Sequence, residues 1–556
     1  MKNILPFAVL FFIGVTSFAQ THIQSGPVFG TWSLSGSPYY IEGEIAVPAG
    51  QSLTIQPGVL VEFQGHYKLT VQGQLLAVGT ESDSITFTIN DTTGFHNWSS
   101  TDGGWHGISF GYSLPGDDTS RIAYCIFEWG KAVGIIPDNS GGAISVANYH
   151  NLVISNSLFS SNIAVGDGGG IAISNSDIII SDNTFYMNGA GESGGGIAVY
   201  SCDPQITNNF ISENVALNSG GGISLYYNAN PNIENNIIFH NFSEFGGGLQ
   251  MQTNCNPIIR NNIIVGDSAY SEGGGVDLEE NCNGIFINNT IVYNVAAFGG
   301  GVDCEDNSNP IFRNSILWGN FGTVNGNQVH LFSEDSDPDF YYCDVEGDSS
   351  DFGVWYGGST YFTYTGTYEN NISSNPDFTF YNQYIYLLDD LSPCIDTGDP
   401  DAIYNDIEDI NNPGFALWPS KGTLRNDIGV YGGPYTLSYE VTSVIEDGAH
   451  TNFTVKNYSL TQNYPNPFNP TTKIKYTILN VETGHPAKAG KVAPSLQTNL
   501  MVFDILGNEI AVLVNEPQSP GSYEVEFNGT GLSSGVYLYR LEHGKYSSTK
   551  KMLLIK

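Results

Sequence analysis

The stretch GGGIAVYSCDPQITNNFISENVALNS, residues 194–219, is followed directly by a second Gly-Gly-Gly-Ile at 220–223. Glycine triplets begin at positions 168, 194, 220, 246, 273 and 299, and a related GGAI stands at 141–144. Successive triplets are therefore 26 or 27 residues apart. A fixed period of this size indicates a solenoid in which each repeat is one turn of the chain.

The apolar residues of each repeat predict short strands. After each triplet they occupy alternate positions, as in Ile197 and Val199, and a period of two is typical of a strand. Two further strands are predicted around Ile206, Ile233, Ile259, Phe286 and Phe312, and around Ile211, Ile238, Ile264, Ile291 and Leu317. Three strands per turn, stacked at about 4.8 Å on their copies, predict an all-β fold of parallel sheets around an apolar core.

Paired asparagines mark one corner of every turn. They recur between the second and third predicted strands, at 208–209, 235–236, 261–262 and 288–289. Asparagine tolerates the left-handed backbone of a sharp corner, and stacked amides can hydrogen-bond from turn to turn as a ladder. The glycine triplet is predicted to form another corner, where close approach excludes a Cβ.

These repeats resemble the right-handed parallel β-helix proteins of pectin-lyase-like architecture. The GGAI at 141–144 and the FSSN at 159–162 are similar to repeats of polymorphic outer-membrane proteins. SLTIQPG at 52–58 resembles an opening turn, and SPCIDTG at 392–398 with DIG at 427–429 resembles a closing segment. The resemblance implies a β-helix over residues 38–436.

Four motifs near the C-terminus resemble the type A sorting domain of the type IX secretion system. They are LTQNYPNPFNP at 460–470, VFDILG at 502–507, GVYLYR at 535–540 and KKMLLIK at 550–556. The resemblance implies a small β-sandwich over 457–556 that the type IX machinery recognises at the outer membrane of a Gram-negative bacterium. An ordinary adhesive β-module is the alternative. Residues 437–456 are a predicted linker.

The N-terminus is typical of a secretory signal peptide. Lys2 precedes an apolar run at 4–15, and SFA at 17–19 predicts cleavage between Ala19 and Gln20. The signal peptide thus covers 1–19, and 20–37 is a lead-in to the β-helix. The apolar run is shorter than the roughly 20 residues of a membrane span, and no transmembrane segment is predicted in the mature protein.

The charge of the chain excludes one class of partner. Acidic residues outnumber basic residues by 56 to 18, for a net charge of −38. The excess lies before Lys456, and the remainder is nearly neutral. Such a surface repels phosphate backbones, so a nucleic-acid partner is not expected.

Outward positions of the glycine-triplet strand are predicted to form two columns. One contains Tyr200, Tyr226, Gln252, Glu279 and Glu305, and the other contains Ala198, Ser224, Gln250, Asp277 and Asp303. We expect a glycan to bind Tyr200, Tyr226, Gln250 and Gln252, because tyrosine faces can stack on sugars. A calcium ion could be coordinated by Asp277, Glu279, Asp303 and Glu305, because carboxylates at these spacings suit Ca²⁺. A solvated acidic face and a catalytic carboxylate pair remain alternatives, and no catalytic residue is assigned.

Cysteines and basic residues give weaker indications. Cys255 and Cys282 occupy equivalent positions of adjacent turns, where either a disulfide or two stacked thiols is possible. Cys304 is predicted to point inward. Arg260 and Arg313 share a column with Glu234, which predicts ion pairs between turns. His106 is interpreted as structural.

The sequence thus predicts a secreted or surface-displayed β-helix that acts in binding or adhesion, with an extracellular polysaccharide as a possible partner. A β-helix polysaccharide lyase or glycoside hydrolase is the alternative. Neither a basic residue beside a calcium cluster nor the tandem carboxylates of polygalacturonases is evident.

Overall fold

A computed structural model describes residues 20–112, 118–354, 363–382, 385–410, 412–436, 459–460, 463, 468–478, 496–504, 509–518, 521–533, 535–543 and 546–555. The predicted signal peptide and linker lie outside these residues. One compact unit extends to Asp399 and includes Ile428–Val430, and a second contains 400–427 and the described residues from 431 onward.

The first unit is a parallel β-solenoid with three sheets of 13 strands each, here called A, B and C. Sheet A contains Thr21–Ile23, Tyr39–Ile41, Leu60–Phe63, Ile85–Ile89, Cys125–Glu128, Leu158–Ser160, Thr184–Tyr186, Phe210–Ser212, Ile237–Phe239, Ile263–Val265, Thr290–Val292, Ile316–Trp318 and Asp344–Val345. Sheet B contains Gly26–Pro27, Ile45–Val47, Leu69–Val71, Ile108–Gly111, Ile144–Ala147, Ile171–Ser174, Ile197–Tyr200, Ile223–Tyr226, Leu249–Gln252, Val276–Glu279, Val302–Cys304, Val329–Leu331 and Gly353–Val354. Sheet C contains Gly30–Trp32, Ser52–Ile55, Gln74–Val78, Ser120–Ala123, Leu152–Ser155, Ile179–Ser181, Gln205–Thr207, Asn232–Glu234, Ile258–Arg260, Ile285–Ile287, Ile311–Arg313, Asp339–Tyr341 and Tyr368–Glu369.

A fourth sheet, called D, corrects the prediction of three strands per turn. Its eight parallel strands lie between those of sheets A and B along the chain. Several are only two residues long, which is too short to show an alternating pattern in the sequence. The strands are Lys131–Ala132, Ile163–Ala164, Gly189–Ala190, Val215–Ala216, Phe242–Phe245, Ser268–Glu272, Val295–Phe298 and Phe321–Asn325.

Inward side chains of sheets A, B and C form one apolar core, as the alternation predicts. The asparagine corners are also confirmed. Asn208 has a φ of 58°, and Asn209 Nδ2 donates to Asn236 Oδ1 at 3.0 Å and to the Ile180 carbonyl at 3.0 Å. The buried amide of Asn209 is therefore satisfied by the neighbouring turns.

Both ends of the solenoid differ in detail from the prediction. The solenoid begins within the predicted lead-in, because Thr21–Ile23 pairs in parallel with Tyr39–Ile41. The first turn carries no glycine triplet, so the repeat did not reveal it. Near the other end, Phe378–Asn382 and Ile385–Leu388 form an antiparallel hairpin, and the closing DIG segment docks on a corner asparagine, since Asn288 Nδ2 donates to the Gly429 carbonyl at 3.0 Å. Short 3-10 helices occur at Leu34–Gly36, Ser349–Asp351 and Ala402–Tyr404.

The second unit contains two antiparallel sheets. One consists of Ser459–Leu460, Thr471–Ile478 and Gly521–Asn528, and the other of Glu509–Gln518, Leu496–Asp504, Gly535–His543 and Tyr546–Leu554. Residues of both sheets share one apolar core, which includes Ile474, Phe527, Val502, Tyr539 and Leu554. This arrangement is the small β-sandwich that the C-terminal motifs imply.

Candidate functional site on sheet B

The two predicted columns follow the register of sheet B as far as Asp303 and Glu279, and Glu305 lies one residue beyond the strand Val302–Cys304. Gln250 lies beside Asp277 and Gln252 lies beside Glu279. Asp277 in turn lies beside Asp303 in the next turn. The repeat therefore aligns these polar side chains on the face opposite the apolar core.

That face is covered, however, which contradicts the alternative of a solvated acidic face at Asp277 and Asp303. The first glycine of each triplet has a left-handed backbone, with φ of 62° at Gly273 and 60° at Gly299. A Cβ on Gly273 would lie 2.5 Å from the Cβ of Asp277, and one on Gly299 would lie 2.9 Å from that of Asp303. The chain thus passes directly over the column, and both aspartates are 0% exposed. Alternation identified their side of the strand but not the segment that covers it.

Three of the carboxylates approach one another closely. One oxygen each of Asp277, Asp303 and Glu305 lies within 4.8 Å of the others. Glu279 instead accepts a hydrogen bond from Gln252 Nε2 at 2.8 Å. The four predicted metal ligands therefore form a cluster of three, with Glu279 beside Asp277 and bonded to Gln252.

Burial changes the protonation of the cluster. It raises the pKa of Asp277 and of Asp303 well above the usual range, and neighbouring carboxylates add to the effect. Burial, with the charge of Asp303 next in importance, raises the pKa of Glu305 to about 9. Without a cation, these groups resist ionisation at neutral pH.

His330 and Glu272 belong to this site, although the sequence analysis did not select them. His330 follows Asp303 in the same column, and its Nδ1 lies 2.5 Å from Asp303 Oδ1. Glu272 ends a strand of sheet D and raises the pKa of Asp303, second to burial. The repeat pattern did not identify His330, because its turn has Gly326-Asn327-Gln328 in place of the glycine triplet.

The two tyrosines of the other column form a cluster of three rings with Tyr227, which follows the strand of Tyr226. Tyr200 and Tyr226 stack with centroids 5.1 Å apart and planes 9° from parallel, and Tyr226 Oη lies 2.8 Å from Ser193 Oγ. Tyr227, which the alternation did not select, lies 6.0 Å from Tyr226. Tyr227 is 54% exposed, whereas Tyr226 is only 8% exposed. The accessible ring of the cluster is therefore the one at the corner after the strand.

Other predicted residues have structural surroundings. Cys255 and Cys282 are free, stacked thiols rather than a disulfide, and the Cys255 N–H donates to Cys282 Sγ at 3.2 Å. Cys304 is buried in the core as predicted. His106 Nε2 lies 2.9 Å from the Asp138 carbonyl.

The predicted ion pairs are partly confirmed. Arg260 pairs with Glu234 of the preceding turn. Arg313 instead pairs with Asp399, which precedes the chain's exit from the first unit, and its guanidinium lies 4.6 Å from the centre of the Tyr341 ring. The column pattern could not reveal this partner, because Asp399 lies outside the repeats.

Comparison with known families agrees with this architecture. Residues 82–264 and 190–317 match the family described as "Right handed beta helix region". Residues 462–556 match the "Secretion system C-terminal sorting domain". The chain is a right-handed parallel β-helix protein. It carries a type IX sorting domain, which marks proteins exported to the cell surface or the medium of Gram-negative bacteria.

Two individual proteins are similar to parts of this chain. Protein bark beetle of Drosophila melanogaster is 36% identical over 80 residues, which are 14% of this chain and 3% of that protein. The enzymatically active domain of bacteriophage CBA120 tailspike protein 4 aligns over 87% of this chain and 59% of its own, with 14% identity and a TM-score of 0.26. Neither similarity supports an inference about activity. In the part of the chain that the structure describes, no helix is long and apolar enough to cross a membrane.

Proposed function

We propose that the β-helix is an exported binding or adhesion module that recognises an extracellular polysaccharide at the tyrosine cluster. The observation that carries this proposal is the stack of Tyr200 and Tyr226 beneath the half-exposed Tyr227. An aromatic ring held rigidly at a surface binds with little loss of conformational freedom.

The surroundings of Tyr227 suit a polar ligand. Asn228 and Asn254 are exposed on neighbouring turns of the same corner, as are Glu280 and Asp306 further along. Their oxygens and amide groups could bond to sugar hydroxyls. The acidic charge of the chain favours a neutral or cationic polysaccharide over a polyanionic one.

The enzymatic alternative has less support. Asp277 and Asp303 are fully buried beneath the glycine corner, so a glycosidic bond cannot reach them without movement of the backbone. Most glycoside hydrolases use two carboxyl groups that flank the glycosidic bond directly. We therefore favour binding without turnover.

Affinity electrophoresis of the full chain through gels containing single polysaccharides tests this function. Tyr227→Ala is expected to weaken the retarding interaction about tenfold, which corresponds to about 1.4 kcal/mol. Tyr270→Ala is the matched control, because Tyr270 is 78% exposed on sheet D, away from the cluster.

Assays for new reducing ends and unsaturated uronates accompany the binding measurement. Retardation that Tyr227→Ala leaves unchanged contradicts the assignment of the site. Turnover of a retarding polysaccharide by the wild type supports the lyase or hydrolase instead.

A further inference from the structure

We propose that Asp277, Asp303 and Glu305 bind one calcium ion beneath the glycine corner of sheet B. Their nearest oxygens lie within 4.8 Å of one another. A point between three atoms so spaced is at most about 2.8 Å from each, close to the 2.3–2.6 Å of calcium–oxygen bonds. Small side-chain adjustments would therefore bring all three oxygens to bonding distance.

Unpartnered buried atoms point independently to a ligand. Both carboxylate oxygens of Asp277 and Oδ2 of Asp303 are buried and accept no hydrogen bond from an N–H or hydroxyl group of the described residues, and the group that contacts the Asp277 carboxyl is another carboxyl, that of Glu279. Buried carboxylates elsewhere are paired, hydrogen-bonded or coordinated to a metal. The two aspartates lie side by side in adjacent turns, and one oxygen of each lies within 4.8 Å of the other.

A fourth ligand is available next to the cluster. Gln250 lies beside Asp277 in the sheet, and its buried Nε2 also has no partner. Its Oε1 accepts from Ser224 Oγ at 3.3 Å. Rotating the amide by 180° would give the oxygen to the ion and let Nε2 donate to Ser224 Oγ.

The ligand set selects the kind of ion. Three carboxylates and an amide offer only oxygen, which hard cations prefer. Glu279 is not required, since Gln252 already donates to it. His330 Nδ1 contacts Asp303 Oδ1 and positions that carboxylate from the side away from Asp277, as outer hydrogen bonds do at other metal sites.

The ion would link two successive turns of the solenoid. Asp277 and Asp303 belong to successive turns, so one cation bonded to both links those turns. The site does not include Tyr227, and calcium binding here is independent of the proposed glycan binding. Failure of one proposal leaves the other intact.

Calorimetry of the full chain after chelation and dialysis tests the site. Titration with CaCl₂ is expected to give one ion per chain, and saturating Ca²⁺ is expected to raise the Tm of the β-helix by about 5 °C. Asp277→Asn combined with Asp303→Asn should abolish both responses. In chelator, the same double variant should melt at or above the wild type, because a buried amide is neutral without having to take up a proton, whereas each buried aspartate must stay protonated.

A matched control removes the same charge from the same two turns. Glu280→Gln with Asp306→Asn changes two exposed carboxylates and should retain the full calcium response. The proposal is overturned if wild type gives no titration heat and an unchanged Tm with Ca²⁺. It is equally overturned if the response survives in the Asp277 and Asp303 double variant.

Discussion

Two of the buried polar columns in this solenoid, the asparagine column at the corner between sheets C and A and the aspartate column of sheet B, differ in whether their atoms are paired. In the corner column each asparagine donates to one turn and accepts from another, as Asn236 does with Asn262 and Asn209. In the column of sheet B, Asp277 and Asp303 stack at the same spacing but leave buried oxygens that accept no hydrogen bond from an N–H or hydroxyl group of the described residues. An amide is both donor and acceptor, whereas a carboxylate only accepts. Amides therefore form a ladder by themselves, and carboxylates need a proton or a cation.

A second asparagine column contains amide rungs and one carboxylate rung. It runs between sheets A and D, where Asn241 Nδ2 donates to Asp267 Oδ1 at 2.9 Å and the Asp267 N–H donates to Asn294 Oδ1 at 2.9 Å. Asp267 is the one carboxylate among these described rungs, which are Asn162, Asn188, Asn214, Asn241, Asp267, Asn294 and Asn320. Its Oδ2 stands where every other rung has an amide NH₂ group, and it is buried without a partner. Burial raises the pKa of Asp267 to about 8.

Breaking the corner ladder should have the largest effect. Asn236→Ala removes the acceptor of the Asn209 amide and the donor to the Ile206 carbonyl. Several buried groups lose their partners, so we expect a loss of about 3 kcal/mol in the free energy of unfolding. Urea denaturation measures it. Asn230→Ala is the control, because its ladder lies at the surface and water can replace the lost bonds. Equal losses in the two variants would contradict the importance of burial.

Replacing the carboxylate rung should stabilise the protein in a pH-dependent manner. Between about pH 4 and 8 the folded state keeps a proton on Asp267 that the unfolded state has released, so stability falls as pH rises, by about 1.4 kcal/mol per unit at most. Asp267→Asn removes this slope and restores the donor. The variant should therefore gain most over the wild type at pH 8 and least at pH 4.

Denaturation of both proteins at several pH values checks this expectation. A constant difference between wild type and Asp267→Asn across the range would mean that Asp267 does not carry the extra proton. Asp203→Asn serves as control, because it makes the same substitution at an exposed position of a surface ladder.

The smallest effect is expected where a stacked carboxylate already has a protein cation. Glu234 and Arg260 pair across adjacent turns, and their side chains are 15% and 16% exposed. A double-mutant cycle with Glu234→Gln and Arg260→Met should give a coupling energy below about 1 kcal/mol, since such pairs gain little over hydration. A coupling above about 2 kcal/mol would place this pair with the buried columns instead.

Much of the fold could be predicted from the sequence, because each turn of the solenoid is one contiguous repeat of the chain. The alternation at Ile197 and Val199 predicted sheet B and its inward side, and the paired asparagines predicted the ladder. Fixed spacing also aligned Asp277 with Asp303. Signal-peptide, linker and export predictions rested on motifs, of which the sorting domain is matched by its family.

Tertiary structure alone decided what covers the aligned residues. A strand pattern separates two faces but does not reveal whether the second face meets water, since this depends on the path of the chain before Gly273 and Gly299. The short strands of sheet D carry too few residues to display a period. Consequently the sequence determined which side chains share a column, whereas the folded chain determined that Asp277 and Asp303 are buried, that Tyr227 is accessible, and that His330 joins the site. Burial is a property of all neighbouring segments together, and for this reason it could not be derived from one repeat.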